Sequence, residues 1–210
     1  MVEYYFDNIP LCRFKGWTES WTGLFTALDR KEPERVDYPG QHGYRFDRST
    51  IRFKERVITM TLVFNTDCMR ELIRDDMKKL MELLSKNRPI RLKRVDNENL
   101  RTDVWDVDLI SSGSDRWFDD QMGQRTLTLH ETAPVKVVYY NANVNDLAQV
   151  AIESPNTLLI SWGDGTFEKT KTGATHEYND GWSRHYVIVS GVITEAEITT
   201  NMQEVCRILC

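Results

Sequence analysis

The chain offers few residues whose type and spacing could do chemistry, and the sharpest string is Trp162-Gly163-Asp164-Gly165-Thr166. Glycines on both sides of Asp164 predict a tight turn with positive dihedrals, with Thr166 restarting a strand and Trp162 anchoring the preceding one in a core. Its immediate meaning is a hairpin. Asp103, Asp106 and Asp108 could suggest a calcium or magnesium cluster, but carboxylates on the outer face of one strand meet solvent, and no metal is expected there. Ser111, Ser112 and Ser114 fall in a turn-rich loop where serine serves turn chemistry, and His130 falls on the threonine face of Thr126–Thr132, where an exposed histidine is expected. Cys12, Cys68, Cys206 and Cys210 form no C-x-x-C and have no nearby histidine, so neither zinc nor a disulfide framework is indicated. Cys206 and Cys210 would share one face if the end of the chain were helical; two free thiols are expected. There is no G-x-S-x-G, H-E-x-x-H, phosphate-binding glycine loop or cysteine–histidine signature, and no constellation of carboxylates for a cell-wall hydrolase. The expectation is a protein that is not an enzyme and holds no cofactor.

The elements that would position these residues are organised around Val57–Val95. Ile58, Met60, Leu62 and Phe64 alternate with Thr59 and Thr61, the period of a half-buried strand. Asn65, Thr66 and Asp67 can cap a helix start, and Met69, Leu72, Ile73, Met77, Leu80, Met81 and Leu84 follow as one apolar stripe. A helix over about 67–87 results, roughly 30 Å long, with Arg70, Arg74, Asp75, Lys78, Lys79 and Glu82 in water. Asn87 and Pro89 end it. Ile90 and Leu92 then alternate with Arg91 and Lys93 in a returning strand, and Trp105, Val107 and Leu109 alternate with Asp106 and Asp108 in the next.

Before that unit, Tyr4–Phe6 predicts a short strand and Ile9, Leu11, Arg13 and Phe14 a second, with a turn marked by Asn8 and Pro10. Trp17, Trp21 and Phe25 recur at four-residue spacing, which suits one helical face or, given Gly16 and Gly23, a packed loop. They either fill a core or form a partner-contact patch. Asp29–Arg48 has no apolar period and many charges; such a loop is either an assembly arm or a plain connection. Beyond Ala133–Pro134 the texture changes to short β-rich runs, at 135–140, 150–153, 158–162, 186–190 and 192–199, with turn residues between them. The expected class is α+β: an N-terminal antiparallel sheet or split barrel packed by one amphipathic helix over residues 1–134, then a small C-terminal β-sandwich over residues 135–210.

The net charge of -5, from 27 basic and 32 acidic residues mixed along the chain, argues against a nucleic-acid surface. No apolar run reaches the length of a membrane-spanning helix, and the charged start MVEYYFDNIP does not suit a signal peptide, so synthesis in a cytoplasm is expected.

The C-terminal stretch resembles the polycystic-kidney-disease (PKD) type immunoglobulin-like domain. The matching residues are Trp162–Thr166, His176-Glu177-Tyr178, Gly181 and Tyr186-Val187-Ile188-Val189. The family's aspartate-phenylalanine before the glycine is absent. Such domains are spacers and binding modules, which implies structural roles for Asp164 and His176. The first 134 residues, with Arg48, Ile51 and Phe53 preceding the alternating strand and its helix, are similar in order and spacing to the N-terminal domain of phage distal tail proteins and more loosely to the tail-tube fold. That resemblance implies a structural protein of a phage or prophage virion tail. It would be made in the bacterial host's cytoplasm and would form a ring with itself, a hexamer by analogy, between tail-tube and baseplate hub proteins. The alternative is an adhesin-like module whose C-terminal part binds a host-surface glycan or protein. Candidate partner-contact residues are Trp17, Trp21, Phe25 and Trp182; Tyr140 would join Trp182 in a glycan platform, unless Trp182 packs under the loop over 179–184.

Overall fold

The computed structural model describes residues 2–32, 35–37, 42, 44–46, 52–65, 70–118, 121–141, 147–178, 185–193 and 196–208. β1 (Val2–Phe6) and β2 (Ile9–Pro10) form a hairpin whose turn residues Asp7 and Asn8 both have positive φ, at 49° and 64°, the geometry that matches strand twist. The second expected strand stops there, and Leu11–Phe14 is a 3-10 turn. β3 (Gly16–Thr22), β4 (Arg35–Asp37), β5 (Tyr44–Phe46) and β6 (Arg56–Asn65) follow, then α1 (Arg70–Leu84), β7 (Ile90–Asp96), β8 (Arg101–Ser112), β9 (Arg116–Trp117) and β10 (Met122–Glu131).

These build one antiparallel sheet in the order β2-β1-β7-β8-β10-β6-β3, with β9 on β10. β8 turns the sheet. Its residues from Arg101 to Val107 pair with β7, whereas Asp108 to Ser112 pair with β10 across a bulge. Ile58, Met60, Leu62 and Phe64 point inward as their alternation requires, and meet Leu127 and Leu129, Trp105 and Val107, Leu92, Phe6, and helix residues Ile73, Met77, Leu80 and Leu84 in one cluster. α1 covers this face for about 22 Å at 1.5 Å per residue. It ends before the expected residue 87, and Ser85–Arg88 are a turn. Leu72, placed in the stripe by spacing, is 45% exposed. Of the expected start, residues 66–69 lie outside the described residues.

β11 (Lys136–Asn141), β12 (Ala148–Glu153), β13 (Leu158–Ser161), β14 (Phe167–Thr170), β15 (Gly173–His176), β16 (His185–Ser190), β17 (Glu197–Thr200) and β18 (Gln203–Ile208) complete the chain. They form a sheet β14-β13-β16-β11-β18 and a sheet β15-β12-β17. Val137, Tyr139, Ile160, Trp162, Val187 and Val189 share one apolar cluster with Ala148, Val150 and Ile152 of the second sheet.

The expected α+β class is corrected: eighteen strands against one α-helix among the described residues make the chain predominantly β, and the N-terminal sheet closes no barrel. The helix is one cover on an extensive sheet, and strands arise where sequence periodicity is weak, in β4, β5, β14, β15 and β18. The end of the chain is strand over Gln203–Ile208, not helix, so Cys206 lies in β18. Cys12 and Cys206 are free thiols; Cys68 and Cys210 lie outside the described residues.

Candidate functional site

Trp17 and Trp21 lie on a strand instead of a helix, and Phe25 lies in the turn after it. Trp17 and Trp21 belong to β3, an edge strand of the larger sheet, and Phe25 follows its end. On a regular strand, residues four apart share a face. Here the register shifts between Thr18 and Ser20, so Trp17 pairs with Val63 and Trp21 with Met60, which point to opposite faces. Trp17 is 46% exposed, Trp21 39% and Phe25 48%. Trp21 meets Phe25 edge-on with centroids 5.5 Å apart, and Phe25 meets the buried Trp105 edge-on at 5.7 Å. The guanidinium groups of Arg94 and Arg101 stand 5.6 and 5.7 Å from the Phe25 ring. The result is a half-exposed aromatic ladder rooted in the core and flanked by cations, a geometry suited to burying rings against a partner. A cleft beside it is lined by Leu24, Phe25, Arg101, Trp105, Val138 and Ile208. Trp182 lies outside the described residues, as does most of 33–51 apart from the paired β4 and β5.

Asp103, Asp106 and Asp108, where no metal is expected, do not converge. Asp103 faces Arg94 at 3.3 Å and Arg101 at 2.8 Å, whereas Asp106 pairs with Arg91 at 2.5 Å. Burial, with the Asp106 charge beside it, pushes the Asp108 carboxyl up, and His130 opposes this. Among the described residues no group of three histidine, cysteine or acidic side chains could hold a metal. His130 is half-buried, 3.5 Å from Glu55.

The turn at Trp162–Thr166 has the predicted geometry, with φ of 96° at Gly163 and 94° at Gly165. Asp164 accepts from the Thr166 amide at 2.9 Å and its hydroxyl at 2.5 Å, and its other oxygen lies 2.7 Å from His176 Nε2. Burial raises the Asp164 pKa, but the Thr166 and His176 contacts outweigh it and hold the carboxyl below the usual range. His176 stacks on Trp162 with centroids 5.1 Å apart, and the Tyr178 hydroxyl donates to the Trp162 carbonyl at 2.8 Å. These contacts tie the turn at Asp164 to His176 in β15 and to Tyr178.

Residues that spacing did not single out hold the N-terminal sheet to the C-terminal sheets. Arg91, which alternates with Ile90 and Leu92 in β7, is 5% exposed: Nε donates to Asp106 Oδ1 at 2.5 Å, Nη2 to Ser161 Oγ at 2.7 Å, and Nη1 to the Tyr186 carbonyl. Lys136, 2% exposed, donates to the Val104 carbonyl at 2.6 Å and to Glu131, which also faces Arg56 at 3.3 Å. Burial pushes the Lys136 ammonium down, against the attraction of Glu131. A lysine and a glutamate flanking Ala133–Pro134 were the only signal in the sequence.

No protein-family profile matches the chain, and no curated protein matches it. Solved structures do. The Dit protein of phage SPP1, described as a paradigm of the hub adsorption apparatus in phages infecting Gram-positive bacteria, is 12% identical; the match covers 98% of this chain and 100% of that one, with a TM-score of 0.50. A chain of the phage P2 baseplate in its activated conformation with calcium is 8% identical, with 99% and 87% covered and a TM-score of 0.50. What is shared at these identities is the fold, and over nearly its whole length this chain has the fold of phage Dit and baseplate proteins.

Proposed function

We propose that the protein is a structural, non-catalytic component of a phage or prophage tail. It acts as a distal-tail-type subunit whose copies form a ring, six by analogy, joining the tail tube to the baseplate hub. The observation that carries this reading is the likeness to the SPP1 Dit protein across 98% of this chain and all of that one. Both parts of the chain are thus matched together. The aromatic ladder at the β3 edge supports it, since a strand edge that is unpaired among the described residues and bears half-exposed rings favours addition of a neighbour.

In the same reading the chain has two domains that meet at Ala133–Pro134, and the second is of the PKD type. The turn around Asp164, the buried Trp162 and Tyr178, and the two facing sheets support that assignment. Native mass spectrometry and negative-stain imaging of the purified chain over a range of concentrations test the function. A closed oligomer of one stoichiometry with a central hole is expected. A monomer at every concentration and salt, alone and with tail-tube and hub proteins added, overturns it.

A further inference from the structure

Among the described residues, the two apolar cores are joined by a small third cluster, Val104 from β8, Val138 from β11 and Ile188 from β16, with Tyr186 and Cys206 against it. So small a patch would ordinarily let two parts of a chain move relative to each other. On either side of it stands a buried cation. Arg91 projects from β7 of the N-terminal sheet and reaches Ser161 at the end of β13 and the Tyr186 carbonyl in β16. Lys136 projects the other way, from β11, and reaches the Val104 carbonyl of β8 and Glu131 at the end of β10.

We propose that Arg91 and Lys136 are reciprocal pins that hold the C-terminal sheet pair on the N-terminal sheet as one rigid body. Removing either lets the C-terminal part swing about Ala133–Pro134 while both cores stay folded. The inference rests on the two-part reading of the chain and is independent of ring assembly.

The geometry of each pin is set within its own part before it crosses. Asp106 lies directly opposite Arg91 in the β7–β8 register and takes its guanidinium through two oxygens, at 2.5 and 3.3 Å. That fork leaves the outer nitrogens aimed at β13 and β16, an orientation a lysine could not hold. Lys136 stands 5.6 Å over the Trp105 ring, and its partner Glu131 is tied by Arg56 to the Leu24 carbonyl at 3.0 Å. The pin is therefore anchored as far back as the segment after β3. The glycine turn lets the parts close up: a Cβ on Gly163 would lie 3.4 Å from Arg91 Nη1, and one on Gly165 2.9 Å from Arg88 Cζ. Buried ion pairs add little net stability, and their best-attested use is to fix one geometry among several. A joint between two cores has that need.

The test uses the full chain. Calorimetry and amide hydrogen exchange can be read whether the chain is monomeric or assembled, so a missing ring does not decide them. The unmodified protein should unfold in one transition. Arg91→Met combined with Asp106→Asn, which leaves no orphan charge, and separately Lys136→Met, should each split it into two. Exchange should rise at Val104, Val138 and Ile188 while Met60, Leu127, Val150 and Ile160 keep their protection. A single transition with unchanged exchange at those three residues in both variants overturns the proposal. Loss of protection throughout both cores overturns it too, because the cations would then be supports of the cores and not of the joint.

Discussion

Replacing Gly163 by alanine separates the backbone demand of the Asp164 turn from its packing. At φ +96° an L-residue is strained, which costs about 1–2 kcal/mol. The added Cβ would also lie 2.7 Å from the Tyr186 carbonyl oxygen, a backbone atom that cannot step aside. That carbonyl accepts from the buried Arg91 guanidinium, and displacing a charged hydrogen bond costs a further 1–3 kcal/mol, roughly. The expected loss for Gly163→Ala is therefore about 2–5 kcal/mol by these two terms together. Gly165 provides the control. Its φ of +94° carries the same strain, but its Cβ would meet the guanidinium of Arg88, a partly exposed side chain able to swing away. Gly165→Ala should lose only about 1–2 kcal/mol. Urea unfolding followed by tryptophan fluorescence reads both, since Trp162 is 1% exposed beside the turn. A Gly163→Ala protein as stable as Gly165→Ala would refute the packing argument, and two unperturbed variants would refute the turn argument as well.

Trp21→Ala and Phe25→Ala should weaken self-association by at least about tenfold in sedimentation while shifting Tm little, because both rings are half-exposed; assembly equal to the parent's would remove this edge from the proposed interface. Leu80→Ala on α1, 1% exposed, should cost about 2–5 kcal/mol in urea, and a loss under 1 kcal/mol would mean that the helix is not packed as described. Asp164 titrates below its ordinary 3.8 in the folded chain, so its contribution is present above that pH and disappears as pH falls through the folded value. Asp164→Asn should accordingly flatten the part of the acid-induced stability loss below about pH 4, and an unchanged acid limb in pH-dependent unfolding would count against the carboxylate's role.

The central strand–helix–strand unit was legible because both periods are clean: alternating Ile58 to Phe64 and the three-to-four spacing from Ile73 to Leu84 each have one burial solution. The Asp164 turn was legible because only glycine tolerates its dihedrals without strain. The β3 edge was not, since Trp17, Trp21 and Phe25 mimic a helical spacing and the inserted residue between Thr18 and Ser20 leaves no mark in composition. The joint was hidden for a different reason. Arg91 alternates with Ile90 and Leu92 as a solvent-facing residue should, and only the second half of the chain, lying across that face, makes it interior. Lys136 likewise looks like any charged residue beginning a strand. The class was misjudged because one strong helical signal outweighed several short strands whose polar edges, such as Phe167–Thr170, show little alternation.

In the proposed ring, the extra residue in β3 would bear on how copies meet. Because Trp17 and Trp21 project to opposite sides of the same exposed border, a flat surface laid on one side of the sheet could cover one indole only. A neighbour that covers both must clasp the border from above and below, much as a tongue seats in a groove. Such a clasp fixes tilt as well as position, and a shallow error in tilt repeated around a circle is what keeps a chain of subunits from closing.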